Sequence, residues 1–180
     1  MTKTERLFAG VPIDEVTRIK LIRQLPSDLP GKPSPPINWH FTLRFLGSTD
    51  ADRRDALIQR LSSTQFGTPF DLSFDRLGAF PDAGRARVVW LGTSAGHDRL
   101  EGIAVKVEEA ARSAGFDAEK RPFKAHLTLS RMKEPMSVAA VLAKARAVHS
   151  TMRVDRIILY RSEPGGSHSQ YSVVATFPLT

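Results

Sequence analysis

Two short segments of this chain carry side chains able to move protons, and they carry them in the same order. His40-Phe41-Thr42-Leu43 and His126-Leu127-Thr128-Leu129 share the form His-apolar-Thr-Leu and begin 86 residues apart, close to half of the 180-residue chain. On a strand, alternate side chains face opposite ways, so His and Thr project from one face about 7 Å apart while the apolar pair anchors the other. If the two segments meet across one cleft, they bring together two imidazoles and two hydroxyls. Histidine titrates near neutrality, so one ring can take a proton while the other gives one. Threonine hydroxyls can donate hydrogen bonds to oxygens on which negative charge grows. That combination suits attack on a phosphodiester. Either segment alone reads as an ordinary strand with a structural histidine; two copies in matching surroundings read as a site. Two histidines without a third His, a Cys or a nearby carboxylate make a poor zinc set, so neither metal nor cofactor is expected. His97, His149 and His168 fall at a helix start, a helix end and a glycine loop, and read as surface residues.

The elements that must hold these segments can be read from periodicity. A strand is expected over 6–11, and a helix capped by Asp14 with apolar positions Val16, Ile19, Leu21, Ile22 and Leu25. Residues 26–36 hold five prolines, which predicts a loop without regular structure. A strand over 38–46 follows, then a short helix over 50–61. Strands over 70–77 and 85–91 are joined by a turn at 78–84. Beyond them come a helix over 98–114, a strand over 125–130, a helix over 137–148, and strands over 153–160 and 170–177. Each half thus runs helix, motif strand, helix, strand pair, the trace an internal duplication would leave. Hairpin-length links and mixed elements predict an α+β fold of largely antiparallel sheets. No linker divides residues 1–180, so a single domain of two pseudo-symmetric lobes is expected.

Composition narrows the class. With no cysteine, a disulfide scaffold, thiol catalysis and thiolate metal sites are excluded. No apolar run is long enough for a membrane span, and the charged opening followed by Pro12 does not read as a secretory signal. A cytoplasmic location is the default. The net charge of +7 rests on 18 Arg and 8 Lys against 19 acids. Arginine suits bidentate phosphate contacts, so the balance leans toward a polyanionic partner.

The surroundings of the two motifs resemble the two-histidine phosphoesterase superfamily, and more narrowly the RNA 2′,3′-cyclic phosphodiesterases, also known as 2′-5′ RNA ligases. The resemblance is carried by residues 6–12, by Asn38-Trp39-His40-Phe41-Thr42-Leu43-Arg44-Phe45-Leu46-Gly47, by Leu77-Gly78-Ala79-Phe80-Pro81 leading to 87–92, by 121–131 and by 159–162. It implies a bilobal α+β fold with pseudo-twofold symmetry, a central V-shaped cleft lined by sheet and helices outside. It implies opening of an RNA 2′,3′-cyclic phosphate to a 2′-phosphomonoester, and in some members reversible 2′-5′ joining. Carried over by position, His40 and His126 are the catalytic pair, taken here as proton donor and proton acceptor, although the residues do not separate the two orders. Thr42 and Thr128 hold the phosphate, Arg131 contacts it, and Phe45 stacks on a base. Phe41, at a usually aliphatic position, and the proline-rich approach loop depart from the family pattern.

Strand parity disagrees with two of these roles. Phe45 and Arg131 share the parity of the core-facing residues, so reaching the cleft needs a bulge or a strand end. Arg44 has the cleft-facing parity and is added as a candidate substrate contact on that ground alone. The partner expected is RNA with a 2′,3′-cyclic phosphate end, such as a tRNA half or a nucleotide, with no membrane and a monomeric chain. Two other readings compete: a non-catalytic module binding RNA ends, and a superfamily relative acting on ADP-ribose cyclic phosphate or 2′-5′ oligoadenylate.

Overall fold

The computed structural model describes residues 4–144 and 148–180. In chain order the elements are β1 (Glu5–Pro12), α1 (Glu15–Gln24), β2 (Lys32–Pro33), a 3-10 turn (Pro36–Asn38), β3 (His40–Thr49), α2 (Ala51–Ser62), β4 (Phe70–Phe80), β5 (Ala86–Ala95), α3 (His97–Ser113), β6 (Leu127–Met136), α4 (Ala139–Lys144), β7 (Ser150–Val154), β8 (Arg156–Glu163) and β9 (Gln170–Pro178). Local chemistry explains the helix starts. Asp14 accepts from the Thr17 N–H at 2.9 Å and Asp50 from the Arg53 N–H at 2.9 Å, each satisfying a first-turn donor that has no partner within its helix. Before α3 the chain turns through Gly96 at φ +83°, where an added Cβ would lie 2.5 Å from the Asp71 carbonyl oxygen. Only glycine fits there.

All strands join one antiparallel sheet in the order β7-β4-β5-β6-β3-β1-β8-β9, with β2 added alongside β6. The sheet cannot be flat. A single residue, Asp155, separates β7 from β8, so Val154 and Arg156 lie within about 7 Å of each other. In a flat sheet, six strand spacings would set β7 and β8 about 29 Å apart. The two halves therefore curl toward each other, and the two motif strands, β3 and β6, occupy the middle. One continuous core lies behind them, containing Phe41 and Leu127 together with Phe74, Leu57, Leu100, Val107 and Leu159. Both α2 and α3 pack there, α3 against β3 and against α2.

Several expectations need correction. Of the positions expected to bury α1, only Leu21 does so fully; Val16, Ile19 and Ile22 are 63%, 43% and 50% exposed, because Thr17 and Leu21 form the inner edge of this short helix. The proline-rich loop is not without regular structure. Lys32 and Pro33 pair with Arg131 and Ser130, and the Ser34 N–H donates to the Leu129 carbonyl at 2.8 Å. Gly78, Ala79 and Phe80 belong to β4 rather than to the turn, since they pair with Trp90, Val89 and Val88. The strand expected over 153–160 is two strands, broken at Asp155, that pair with β4 and β1 respectively. The helix expected over 137–148 runs from Ala139 to Lys144; residues 145–147 of that expectation lie outside the described residues. Among the described residues no helix is long and apolar enough to cross a membrane.

Candidate active site

The centre of the sheet explains why the motif occurs twice. β3 and β6 meet through one antiparallel pair, Phe41 opposite Leu127, the residues that directly follow the two histidines. Continued one residue either way, that register sets His40 against Thr128 and His126 against Thr42. Opposed residues share a face, with Cβ atoms about 5 Å apart. All four polar side chains are thus gathered on the face away from Phe41 and Leu127, related by a local twofold through that pair. They line one cleft of about 230 Å³.

Both rings are held in the same tautomer. His40 Nδ1 donates to the Asn38 carbonyl at 2.7 Å, and His126 Nδ1 donates to the Lys124 carbonyl at 2.7 Å, in each case two residues back along the chain. A proton fixed on Nδ1 leaves Nε2 as the neutral ring's acceptor, presented to the cleft. On His40, Nε2 accepts from the Thr42 hydroxyl at 2.9 Å. The environments then diverge. His40 is packed among Phe8, Tyr171 and Tyr160, with ring centroids at 4.7, 5.5 and 6.0 Å. Burial there, with smaller contributions from the charges of His126 and Arg131, lowers its pKa to about 4. Gly10 makes this seat possible, since a Cβ at that position would lie 3.3 Å from the ring and 2.9 Å from the Phe41 carbonyl oxygen. Among the described residues His126 has one aromatic neighbour, Phe80, edge-on at 5.2 Å. Its pKa is also lowered, first by burial and then by Arg131 and Lys124. Burial thus favours the uncharged form of both rings in the free protein.

A family model for LigT-like phosphoesterases matches the chain twice, over residues 13–90 and 91–168, one His-x-Thr segment in each match. The chain belongs to the LigT-like phosphoesterase family. Among curated relatives, the RNA 2′,3′-cyclic phosphodiesterase of Archaeoglobus fulgidus is 39% identical over 132 residues, covering 71% of this chain and 73% of its own length. That of Escherichia coli K12 is 28% identical over 184 residues, covering 100% and 99%. Among solved structures, apo E. coli LigT superposes with a TM-score of 0.79 at 25% identity, covering 99% of both chains. The same protein complexed with 3′-AMP gives 0.78.

Within this LigT-like site, the residues that strand parity misplaced are explained by a repeated irregularity. Opposite β1, Thr42 pairs with Gly10 and Arg44 with Ala9, which leaves Leu43 as an unpaired bulge. Opposite β5, Thr128 pairs with Trp90 and Ser130 with Val89, which leaves Leu129 as the same bulge in the other motif. Each bulge adds one residue and reverses the parity beyond it. Phe45 and Arg131, both five residues after their histidine, therefore return to the cleft and line it. For Arg131 the cause is this bulge, not a strand end, because β6 continues to Met136. Arg44 does not line that cleft but borders an adjoining hollow together with Thr42, His126 and Thr128, and its Nε lies 2.6 Å from Glu108 Oε2 as an ion pair without hydrogen-bond alignment. Its other nitrogens donate to Glu119 at 3.2 Å and to the Asp117 carbonyl at 2.5 Å.

The cleft also contains residues that sequence reading passed over. Lys32, Asn38, His168 and Tyr171 line it beside the quartet. His168 is thus not a plain surface residue, whereas His97 and His149 are exposed as expected. Asn38 Nδ2 donates to the Ser169 carbonyl at 2.8 Å, joining the segment before His40 to the glycine loop. The only signal for His168 was its place beside Gly165-Gly166, which looked like a solvent-exposed turn. The adjoining hollow continues past His126 along Phe80, Phe123, Arg121 and Lys124. Among the described residues there is no group of three or more His, Cys, Asp and Glu arranged to hold a metal ion.

Proposed function

We propose that this protein is an RNA 2′,3′-cyclic phosphodiesterase that opens the cyclic phosphate to a 2′-phosphomonoester by proton transfer between its two histidines, without a metal or other cofactor. The observation that carries this reading is the pair of imidazoles, each with Nδ1 tied back to a carbonyl two residues earlier and both lining one shared cleft. The names of the relatives point to the same substrate class. In this reading the phosphate lies between the rings, and the Thr42 and Thr128 hydroxyls donate to its non-bridging oxygens. Arg131 adds a positive charge at that anion, and Phe45, 53% exposed at the rim, offers a ring for a base.

Water attacks phosphorus as His126 Nε2 takes its proton. The P–O3′ bond breaks, and O3′ receives a proton from His40 Nε2. This order is supported by position. The leaving oxygen belongs to the nucleoside, whose base fits against Tyr171 and Phe45 in the cleft that holds His40, while His126 also borders the neighbouring hollow, which has room for a water. His40 gains its proton when the anion binds, because the attraction is strongest where solvent screens least. An RNA 5′-hydroxyl in place of water would give a 2′-5′ linkage by the same transfers. Since one chain supplies both motifs, a monomer completes the site, and a cytoplasmic setting fits the cysteine-free composition.

The test is direct. Incubation with a nucleoside 2′,3′-cyclic phosphate gives the nucleoside 2′-phosphate, at a rate unaffected by EDTA. His40→Ala and His126→Ala each lower kcat/KM by about 10²–10⁴ with the circular dichroism spectrum retained. Unaltered substrate, or activity lost to EDTA and restored by zinc, defeats the proposal.

A further inference from the structure

The proline-rich loop brings a second cation to the cleft. Lys32 stands directly opposite Arg131 in the β2–β6 pair, so the two side chains leave the same face, and both line the cleft that holds the histidines. Like charges directly opposite on adjacent strands are destabilising. Neither cation has a carboxylate within 4 Å among the described residues. The arrangement is nonetheless firmly built. Gly31, at φ +80°, sits so close to β6 that a Cβ would lie 2.5 Å from the Arg131 carbonyl oxygen. The Ser34 N–H is bonded to Leu129, and Trp39 Nε1 donates to the Ser34 carbonyl at 3.1 Å. Five prolines limit what this strap can do when unfastened. Two solvent-facing cations held side by side by a stiff strap form a ready seat for an anion.

The two cations differ in what they reach. Arg131 depresses the pKa of both His40 and His126, and Lys32 is not among the groups that do so. Arg131 also borders the hollow beside His126 and Thr128, whereas Lys32 lines the cleft beside Pro33, Ser34 and His168 and does not border that hollow. Resting on the functional reading above, we infer that Lys32, with His168 on the facing loop, forms an anion subsite for the phosphodiester one nucleotide upstream of the cyclic end. The protein would then favour an RNA chain over a free cyclic nucleotide.

The experiment compares a nucleoside 2′,3′-cyclic phosphate, a dinucleotide with the same cyclic end, and that dinucleotide with an uncharged methylphosphonate as its internal linkage. Wild type, Lys32→Glu and Lys32→Arg are assayed at two salt concentrations. The expected result is a dinucleotide-to-mononucleotide ratio of kcat/KM that falls about tenfold in Lys32→Glu, mainly through KM, the size of one charge-assisted phosphate contact. Lys32→Arg keeps most of the ratio. In wild type the methylphosphonate loses the same advantage, and Lys32→Glu then adds nothing further. Equal effects on all three substrates, or no effect on any, overturn the subsite. Affinities for the matching 2′-phosphate products are measured in parallel. If no cyclic substrate is opened but Lys32→Glu still erases the preference for the longer product, the functional reading fails and the subsite stands. If that preference is absent as well, both fail.

Discussion

His40 and His126 share a motif, a tautomer and a register, yet their surroundings differ, and the difference is measurable. In the unfolded chain His40 takes up a proton near pH 6.5, whereas in the folded chain it does so only at about 4. Between those values the unfolded state binds more protons, so stability rises with pH through this window and is lost as pH falls through it. A shift of that size corresponds to about 3 kcal/mol. Urea unfolding between pH 7 and pH 4 should show that loss, and His40→Gln should flatten it while leaving the smaller contribution of His126. A slope indifferent to His40→Gln would mean that the ring is not held neutral by burial. The assignment of donor and acceptor has its own test, because a sulfur leaving group is stable without protonation. With a 2′,3′-cyclic substrate carrying sulfur at the 3′ bridging position, His40→Ala should recover most of its lost rate and His126→Ala should not. Recovery in His126→Ala alone would exchange the two roles. Both tests bear on residues that were legible from spacing, since a period of two already places His beside Thr on one face. What spacing could not show was the aromatic seat of His40. Phe8 and Tyr160 come from β1 and β8, and only the sheet order makes them neighbours.

At the scale of elements, the bulges at Leu43 and Leu129 decide which side chains enter the cleft. A bulge depends on how the partner strand is paired, so nothing in Thr-Leu-Arg-Phe or Thr-Leu-Ser-Arg announces it. Helix caps, by contrast, are local devices, and Asp14 was readable for that reason. The β2 strap escaped notice because its two residues depend on β6 for every ladder bond. One consequence of the first bulge concerns Arg44. Turned toward α3, it joins Glu108 to the segment 117–121, and that segment leads to Lys124, whose carbonyl fixes His126. Glu119 is held below the usual carboxylate range, chiefly by the N–H of Arg121, and so remains charged toward Arg44. With Arg44 largely enclosed, Arg44→Met should cost about 1–2 kcal/mol by leaving Glu108 without a cation, while Glu119 keeps Arg121. Arg44→Lys should restore only part, because it cannot reach Glu108, Glu119 and the Asp117 carbonyl together. Denaturant titration checks this, and a change below about 0.5 kcal/mol would place the cluster with ordinary surface pairs.

Over the whole molecule, the two family matches interleave their strands in one sheet. The first match includes β3 and β4, and the second includes β6 and β8. In the sheet, however, β4 lies on the β6 side, between β5 and β7, while β8 lies on the β3 side, between β1 and β9. Each repeat therefore sends its last long strand to complete the other repeat's half. This exchange explains why a single core runs behind both motif strands, and why the direct link between β3 and β6 can be as slight as one residue pair. It also sets what happens when the chain is cut at Gly96, between β5 and α3. The amino-terminal piece keeps β1–β3 and the β4–β5 hairpin but lacks β6, the strand that connects them. The carboxy-terminal piece keeps β6 and the β8–β9 hairpin but lacks β1, the strand that joins β8 to the centre. The amino-terminal fragment is left with two unconnected strand pairs, and the carboxy-terminal fragment with one pair and the lone strands β6 and β7; each exposes an apolar face and has too little to offset the entropy of ordering. Neither piece alone should give a dispersed amide NMR spectrum or any turnover, and mixing them should restore both, with a yield that rises with concentration. A single fragment that folds by itself would show that the halves are autonomous, and a one-domain reading of residues 1–180 would have to be given up.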